Sequence, residues 1–205
     1  MLGAKTSRRT TTKDGAMTTL VLGPVRGGKS ARAQALARAS GKRVVYLATA
    51  ALDPGDPEMQ DRVERHRRDR PATWTVIETA APGARPVTAL LDEAGEDVCI
   101  LLDALGTWLA AQLFDWPNLD DHDAVAVLDD LDARGAALAD ALTRTRADAI
   151  LVAEETGWGV VPPTPLGRVF RDALGRLNQR IAAHADRVEL VVAGYAVDLR
   201  AIGRP

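Results

Sequence analysis

Short apolar runs alternate along the chain with longer segments whose apolar residues recur every three or four positions. The short runs predict β-strands, and the longer segments predict helices with one buried face. The predicted strands cover residues 18–22, 43–50, 73–78, 97–103, 149–153 and 188–193, the last closing the sheet. The predicted helices cover residues 30–39, 58–70, 87–94, 105–114, 123–146 and 166–185. This alternation predicts a single α/β domain with a doubly wound, mainly parallel sheet.

Length and composition fit a globular protein with one sizeable core. The 205 residues are 46% hydrophobic and 26% charged, which is ordinary for such a domain. A formal net charge of −2 gives no overall attraction to nucleic acid or anionic lipid. The apolar runs are strand-sized and too short to cross a bilayer. We therefore expect no nucleic-acid partner and no membrane span.

The cysteine content and the N-terminal composition bear on the cellular compartment. Cys99 is the only cysteine, which excludes an intrachain disulfide and favours a reducing compartment. It lies within an apolar run, where we expect a buried, unreactive thiol. Residues 1–16 are polar, basic and threonine-rich, without the apolar segment of a signal peptide. We expect a disordered tail over 1–16, a folded domain over 17–205 and a cytoplasmic protein.

A glycine-rich loop with the pattern G-x-x-x-x-G-K-S connects the first predicted strand to the first predicted helix. This phosphate loop consists of Gly23, Pro24, Val25, Arg26, Gly27, Gly28, Lys29 and Ser30. In such a context the backbone N–H groups and the positive end of the helix bind phosphates. Lys29 is predicted to contact the β- and γ-phosphates and the Ser30 hydroxyl to bind Mg²⁺. The loop predicts a nucleotide-binding protein with a P-loop NTPase-like fold.

Asp103 is the last residue of the apolar run 97–103. In phosphate-loop enzymes, an apolar strand presents an aspartate at the C-terminal edge of the sheet, where it helps to bind Mg²⁺. An ordinary aspartate at a strand end is the alternative. The phosphate loop upstream favours the metal-binding interpretation.

A charged stretch within the predicted helix 58–70 places Arg62, His66 and Arg70 at i, i+4 spacing on one face. Two cations beside an imidazole favour its neutral form, whose ring nitrogen can attack an α-phosphate. The guanidinium groups could also hold a triphosphate. A solvated charged face is the alternative, and spacing alone favours it.

Two acidic residues, Glu154 and Glu155, follow the predicted strand 149–153 and precede Gly157 and Gly159. Glu155 could act as a general base for an acceptor hydroxyl. A turn with exposed acids is an equal alternative. The three histidines lie far apart in the sequence and no C-x-x-C is present, so no metal cluster is predicted.

Taken in order, these stretches resemble the bifunctional adenosylcobinamide kinase / adenosylcobinamide-phosphate guanylyltransferase family of cobalamin biosynthesis. The resemblance covers nearly the whole chain from residue 18 to about residue 199. Beyond the phosphate loop, it includes Tyr46-Leu47-Ala48-Thr49-Ala50, Arg62-Val63-x-x-His66-x-x-x-Arg70-Pro71, Asp103-x-Leu105-x-x-Trp108-Leu109, Glu155-x-Gly157-x-Gly159-Val160-Val161-Pro162 and Gly175-Arg176-x-Asn178-Gln179-Arg180. So long an ordered set is more specific than the loop alone, and it favours the catalytic interpretation of His66.

The resemblance implies two reactions. ATP or GTP phosphorylates the aminopropanol hydroxyl of adenosylcobinamide, and GTP then transfers GMP to adenosylcobinamide phosphate with release of pyrophosphate. It implies a covalent His66–GMP intermediate, catalytic roles for His66 and Lys29, Mg²⁺ at Ser30 and Asp103, and a homotrimer. The implied nucleotide contacts, besides the phosphate loop, are Ala51, Leu52, Asp53, Arg67, Arg68, Asp69, Arg70, Glu78 and Asp103.

The chain departs from the family pattern at five positions around the phosphate loop. Pro24, Gly27, Ala104, Gly106 and Glu154 stand where the family usually has glycine, serine, cysteine, threonine and asparagine, respectively. Because these departures lie around the phosphate loop, they affect the prediction of kinase activity more than the prediction of guanylyltransferase activity. Three other functions stay open at this point: a small-molecule kinase without guanylyl transfer, a nucleotide sensor that signals through a partner and, ranked last, a nucleic-acid binder.

Overall fold

The computed structural model describes residues 15–50, 55, 70–81, 83–113, 116 and 123–203, which form one α/β domain. Its strands are β1 (Thr18–Gly23), β2 (Arg43–Ala48), β3 (Thr75–Glu78), β4 (Val98–Asp103), β5 (Asp148–Glu154), β6 (Arg187–Val192) and β7 (Tyr195–Asp198). Its helices, numbered within the described residues, are α1 (Lys29–Ala39), α2 (Val87–Glu93), α3 (Leu105–Leu113), α4 (Ala124–Arg144), α5 (Pro165–His184) and α6 (Leu199–Ile202).

The strands form a single seven-stranded sheet in the order β3-β2-β4-β5-β1-β6-β7. Every neighbouring pair is parallel except β6 and β7, which are antiparallel. Strand β5 lies between β1 and β4, with Glu154 opposite Gly23 and Val152 opposite Asp103. The phosphate loop, Asp103 and Glu154 therefore meet at the C-terminal edge of the sheet, where open α/β sheets bind ligands.

The core consists of two apolar clusters, one on each face of the sheet. One cluster packs β-strand side chains such as Leu20 and Leu102 against helices α2 to α5. The other packs side chains such as Val21 against α1. Burial on both faces explains why the parallel strands are almost continuously apolar. Cys99 belongs to the second cluster, where burial raises the pKa of its thiol to about 11, as expected for an unreactive cysteine.

The predicted fold class is confirmed, and the predicted elements that lie within the described residues end within two residues of the observed ones. The predicted helix 58–70 lies outside the described residues except for Arg70, as does most of the predicted tail 1–16. The prediction that 188–193 closes the sheet is wrong. A tight turn at Ala193 and Gly194, both with positive φ, leads into the exposed edge strand β7. Across the described part of the chain, no helix is long and apolar enough to cross a membrane.

Candidate active site

The phosphate loop places the N-terminus of α1 at the C-terminal edge of the sheet. Strand β1 ends at Gly23, and α1 begins at Lys29 after Gly28, whose φ of +102° is one that residues other than glycine rarely adopt. The N–H of Gly27 donates to the Pro24 carbonyl oxygen at 3.1 Å and closes the loop into a compact turn. This geometry directs the positive end of α1 toward the space where phosphates would bind.

The turn between β6 and β7 braces the phosphate loop from one side. The N–H of Gly194 donates to the Gly27 carbonyl oxygen at 2.9 Å. A Cβ at position 27 would lie 2.8 Å from the Val191 carbonyl oxygen, and a Cβ at position 23 would overlap the same atom. The loop and β6 therefore pack backbone against backbone, which is possible only because the loop has glycine at these positions.

Lys29 is the buried cation of the loop. Its side chain curls back over the loop, and Nζ donates to the Pro24 carbonyl oxygen at 2.8 Å. A lysine ammonium held in the concave side of such a loop lies where the β- and γ-phosphates of a nucleotide would bind. The contact of Lys29 with these phosphates stays a prediction.

Ser30 and Asp103, which are distant in sequence, are in contact. The Ser30 hydroxyl donates to Asp103 Oδ1 at 3.3 Å, and the Tyr46 hydroxyl donates to Oδ2 of the same carboxylate at 3.0 Å. Burial, assisted by the negative charge of Asp103, raises the pKa of Tyr46 far above its usual value, so its hydroxyl stays a donor.

A hydroxyl and a carboxylate beside a phosphate loop form a donor set that fits Mg²⁺. This ion prefers oxygen ligands, takes few from the protein, and completes its shell with phosphate oxygens and water. Within the described residues, no group of three or more His, Cys, Asp or Glu could hold a metal ion. The Ser30 hydroxyl and the Asp103 carboxylate would hold Mg²⁺ together with the phosphate oxygens of a bound nucleotide.

A buried hydrogen-bond network fixes the chain directly after Asp103. Thr49 Oγ1 accepts from the Ala104 N–H at 2.8 Å and lies 2.6 Å from Thr107 Oγ1. The Thr107 hydroxyl also lies 3.1 Å from the Ala104 carbonyl oxygen. These contacts tie the end of β2 to the start of α3 and hold Asp103 in place between them.

Glu154 is the last residue of β5, and its side chain reaches the start of α3. Its carboxylate accepts from the Gly106 N–H at 3.0 Å. Burial raises the pKa of Glu154, whereas the positive charge of Lys29 acts in the opposite direction. Glu155, by contrast, accepts from the N–H of Gly157 at 2.9 Å, within its own turn. The geometry therefore favours the turn interpretation of Glu155 and brings Glu154 into the site instead.

The remaining predicted site residues divide into two groups. Arg70 stacks over the Tyr46 ring, with its Cζ 4.1 Å from the ring centroid, and Glu78 ends β3 opposite Ala48. Glu78 therefore lies at the same edge of the sheet as Asp103, which also pairs with Ala48. The other predicted residues lie outside the described residues: Ala51, Leu52, Asp53, His66, Arg67, Arg68 and Asp69.

Comparisons with known proteins agree with this geometry. Residues 19–199 match the family model described as cobinamide kinase / cobinamide phosphate guanyltransferase. The chain is 40% identical to the bifunctional adenosylcobalamin biosynthesis protein CobP of Pseudomonas aeruginosa over 184 residues, covering 90% of this chain and 98% of the relative. It is 36% identical to the bifunctional adenosylcobalamin biosynthesis protein CobU of Escherichia coli over 187 residues, covering 90% of this chain and all of the relative.

One solved structure is similar in fold alone. An ATPase from a bacterial type III secretion system matches with a TM-score of 0.50 at 11% identity, over 89% of this chain and 56% of that chain. In this chain, one strand, β5, separates the strand of the phosphate loop from the strand that ends at Asp103.

Proposed function

This chain belongs to the cobinamide kinase / cobinamide phosphate guanyltransferase family and is a bifunctional transferase, and from this premise we propose its substrates and steps. It phosphorylates adenosylcobinamide with ATP or GTP and then converts adenosylcobinamide phosphate to adenosylcobinamide-GDP. The observation that carries the proposal is the contact of Ser30 with Asp103 at 3.3 Å beside the buried Lys29. It supports a nucleotide triphosphate site of the kind that both reactions require.

In the kinase step, the aminopropanol hydroxyl oxygen attacks the γ-phosphorus and the bond to the β-phosphate oxygen breaks. The N–H groups of the phosphate loop and the Lys29 ammonium hold the β- and γ-phosphates and stabilise the charge that develops on them. Ser30 and Asp103 would hold Mg²⁺, which supplies neutralisation of phosphate charge. The nucleoside diphosphate leaves, and the hydroxyl proton passes to solvent or to a neighbouring base.

In the guanylyl step, a ring nitrogen of His66 attacks the α-phosphorus of GTP, and pyrophosphate leaves. A phosphate oxygen of adenosylcobinamide phosphate then attacks the phosphoramidate, which restores His66 and forms the GDP product. Splitting the transfer into two displacements lets one site serve two nucleophiles in turn. Arg67, Arg68 and Arg70 supply guanidinium groups for the triphosphate, and residues 51–53, Asp69 and Glu78 complete the nucleotide contacts.

The same proposal includes a homotrimer in the cytoplasm whose enzymatic domain covers residues 17–205. Family membership supports the assembly and the compartment. The assembly has a direct measurement, because light scattering on the purified protein would give about three times the 21.9 kDa chain mass. A monomer mass would contradict this part of the proposal without affecting the chemistry.

The test is incubation with Mg²⁺ and GTP labelled on the α-phosphate, followed by denaturation. The wild type retains label that is lost in acid and stable in alkali, as expected for a phosphoramidate. His66→Ala retains none. His184→Ala is the matched control, since it removes an exposed histidine at the end of α5, and it labels like the wild type.

A parallel assay with γ-labelled nucleotide and adenosylcobinamide measures the kinase step. Lys29→Ala abolishes transfer to the corrinoid, whereas His66→Ala retains it. A wild type that phosphorylates the corrinoid but never takes up α-label would be a kinase without guanylyl transfer. A wild type that binds nucleotide but transfers nothing would overturn both halves.

A further inference from the structure

We propose that Tyr46 is a positioning residue that joins two halves of this site, the carboxylate of Asp103 and the guanidinium of Arg70. Its hydroxyl holds Asp103, and its ring holds Arg70. The inference rests on the proposed function only in the roles given to Asp103 and Arg70. The contacts themselves are properties of the fold.

The first contact fixes the orientation of the Asp103 carboxylate. Tyr46 lies in β2 opposite Leu101 of the neighbouring strand β4, and Asp103 is two positions further along on the same face. A tyrosine is long enough to reach this diagonal neighbour, and its hydroxyl donates to Oδ2 at 3.0 Å. Because Ser30 occupies Oδ1, both carboxylate oxygens are held and the group is kept from rotating.

The second contact connects the same ring to the segment that carries His66. Arg70 lies four positions after His66 in the sequence, and its guanidinium lies 4.1 Å from the centre of the Tyr46 ring. A guanidinium over an aromatic face is attracted by the ring quadrupole, more strongly where water is excluded. Tyr46 is only 3% exposed, so its ring is a rigid platform rather than a mobile surface group.

The Tyr46 side chain therefore makes two contacts. Its hydroxyl contacts Asp103, the proposed Mg²⁺ ligand, and its ring face contacts Arg70, the proposed nucleotide ligand. A change at either contact alters the surroundings of the other. The two contacts can be separated by mutation, because Tyr46→Phe removes the hydroxyl and keeps the ring, whereas Tyr46→Leu removes both.

The experiment measures GTP binding by calorimetry with Mg²⁺ and with EDTA in its place, with every variant made in a His66→Ala background so that no covalent GMP can form. For Tyr46→Phe we expect the Kd for GTP with Mg²⁺ to rise by about tenfold, the size expected for one hydrogen bond to a charged group, with the Kd in EDTA unchanged. Tyr195→Phe is the matched control, because Tyr195 is the only other tyrosine and is exposed on β7. A purely structural role would raise both Kd values together, and either that result or an unchanged Kd with Mg²⁺ would overturn the first contact.

A double-mutant cycle tests the link between the halves. Arg70→Gln and Tyr46→Leu are measured singly and together for the Mg²⁺-dependent gain in GTP affinity. We expect the combined loss to be smaller than the product of the single losses by at least about threefold, as for residues in contact. Independent effects would overturn the coupling. Since none of these measurements involves a corrinoid or a covalent label, failure of the proposed function would leave their outcome intact.

Discussion

The backbone N–H of Gly106 donates to the Glu154 carboxylate at 3.0 Å, and a Cβ at position 106 would overlap that same oxygen. Gly106 is the second residue of α3, whose first N–H groups have no partner within the helix. A carboxylate at this end satisfies one of them and lies at the positive end of the helix dipole. The resemblance to the family leads us to expect threonine and asparagine at these two positions. The two departures therefore form a single contact.

The first prediction is that the two positions are energetically coupled. Gly106→Thr alone displaces the half-buried Glu154 carboxylate and lowers the free energy of unfolding by about 1–3 kcal/mol, as overpacking usually does. Glu154→Asn shortens the neighbour and makes room for the added side chain. We expect the double variant to recover most of the stability that Gly106→Thr loses.

Urea unfolding of the wild type, both single variants and the double variant gives the coupling free energy directly. If the stability losses of the two single variants simply added in the double variant, the two departures would be independent.

The second prediction concerns the pH dependence that Glu154 gives to stability. Its pKa is raised in the folded state by burial, so its favourable contribution is complete below the ordinary glutamate pKa of about 4.3 and is lost as pH rises through the folded value. Glu154→Gln removes this titration. The stability of the variant relative to the wild type should therefore increase from acidic to neutral pH, measured by urea unfolding at several pH values. A constant difference would show that Glu154 titrates normally.

The contribution of Glu189 to stability should depend on pH in the opposite direction. Glu189 is 1% exposed and accepts from Arg32 Nε and Nη2 at 2.7 and 2.9 Å, with Arg187 as a second partner. The hydrogen bond from Arg32 lowers its pKa, so its contribution is complete above about pH 4.3 and is lost as pH falls through the folded value. Glu189→Gln should lower the free energy of unfolding by about 1–3 kcal/mol at pH 7 and by progressively less in acid.

The same urea series serves both glutamate variants, and each is the control for the other. For each variant, the quantity followed against pH is its free energy of unfolding minus that of the wild type. A pH effect shared by the whole protein would change this quantity in the same direction for both variants. Opposite slopes can come only from the two carboxyl groups themselves. Slopes of the same sign would contradict the assigned direction of one of the two pKa shifts, and the sign itself would show which one.

The parts of the site that follow one another in sequence could be predicted from it. The strand, the loop and α1 are consecutive, and Asp103 was recognisable because a charge ends an otherwise apolar run. Parallel strands with their C-terminal ends at one edge then bring Asp103 near Ser30 without further information. The contact at 3.3 Å agrees with that expectation. The role of His66 stays a prediction, because it lies outside the described residues.

Contacts that depend on packing across strands could not be predicted. Tyr46 looked like any apolar residue of a buried strand, and only the register of β2 against β4 shows that its hydroxyl reaches Asp103. Glu154 and Gly106 lie on elements 48 positions apart in sequence, so their complementarity was invisible. Strand β7 was missed because its four residues are all exposed and carry no buried face to detect.

The last prediction tests whether the close packing of the phosphate loop against β6 is needed for nucleotide binding. A second glycine variant measures the general effect of replacing glycine. Gly23→Ala places a Cβ against the Val191 carbonyl oxygen, a backbone atom of β6 that cannot move without disturbing the sheet. We expect a loss of about 2–4 kcal/mol in the free energy of unfolding and a large loss of GTP affinity. Gly175→Ala is the matched control, since this exposed position in α5 has no atom within 4 Å of the added Cβ.

In the interior of a helix, alanine is favoured over glycine, so Gly175→Ala should raise the free energy of unfolding by about 0.5–1 kcal/mol and leave GTP affinity unchanged. Urea unfolding and calorimetry on the two variants measure both quantities. If Gly23→Ala bound GTP as tightly as the wild type, β6 could move away from the loop, and the backbone packing at Val191 would not be what shapes the nucleotide site. A loss of affinity confined to Gly23→Ala would show that β6 and its turn are part of the phosphate-binding structure.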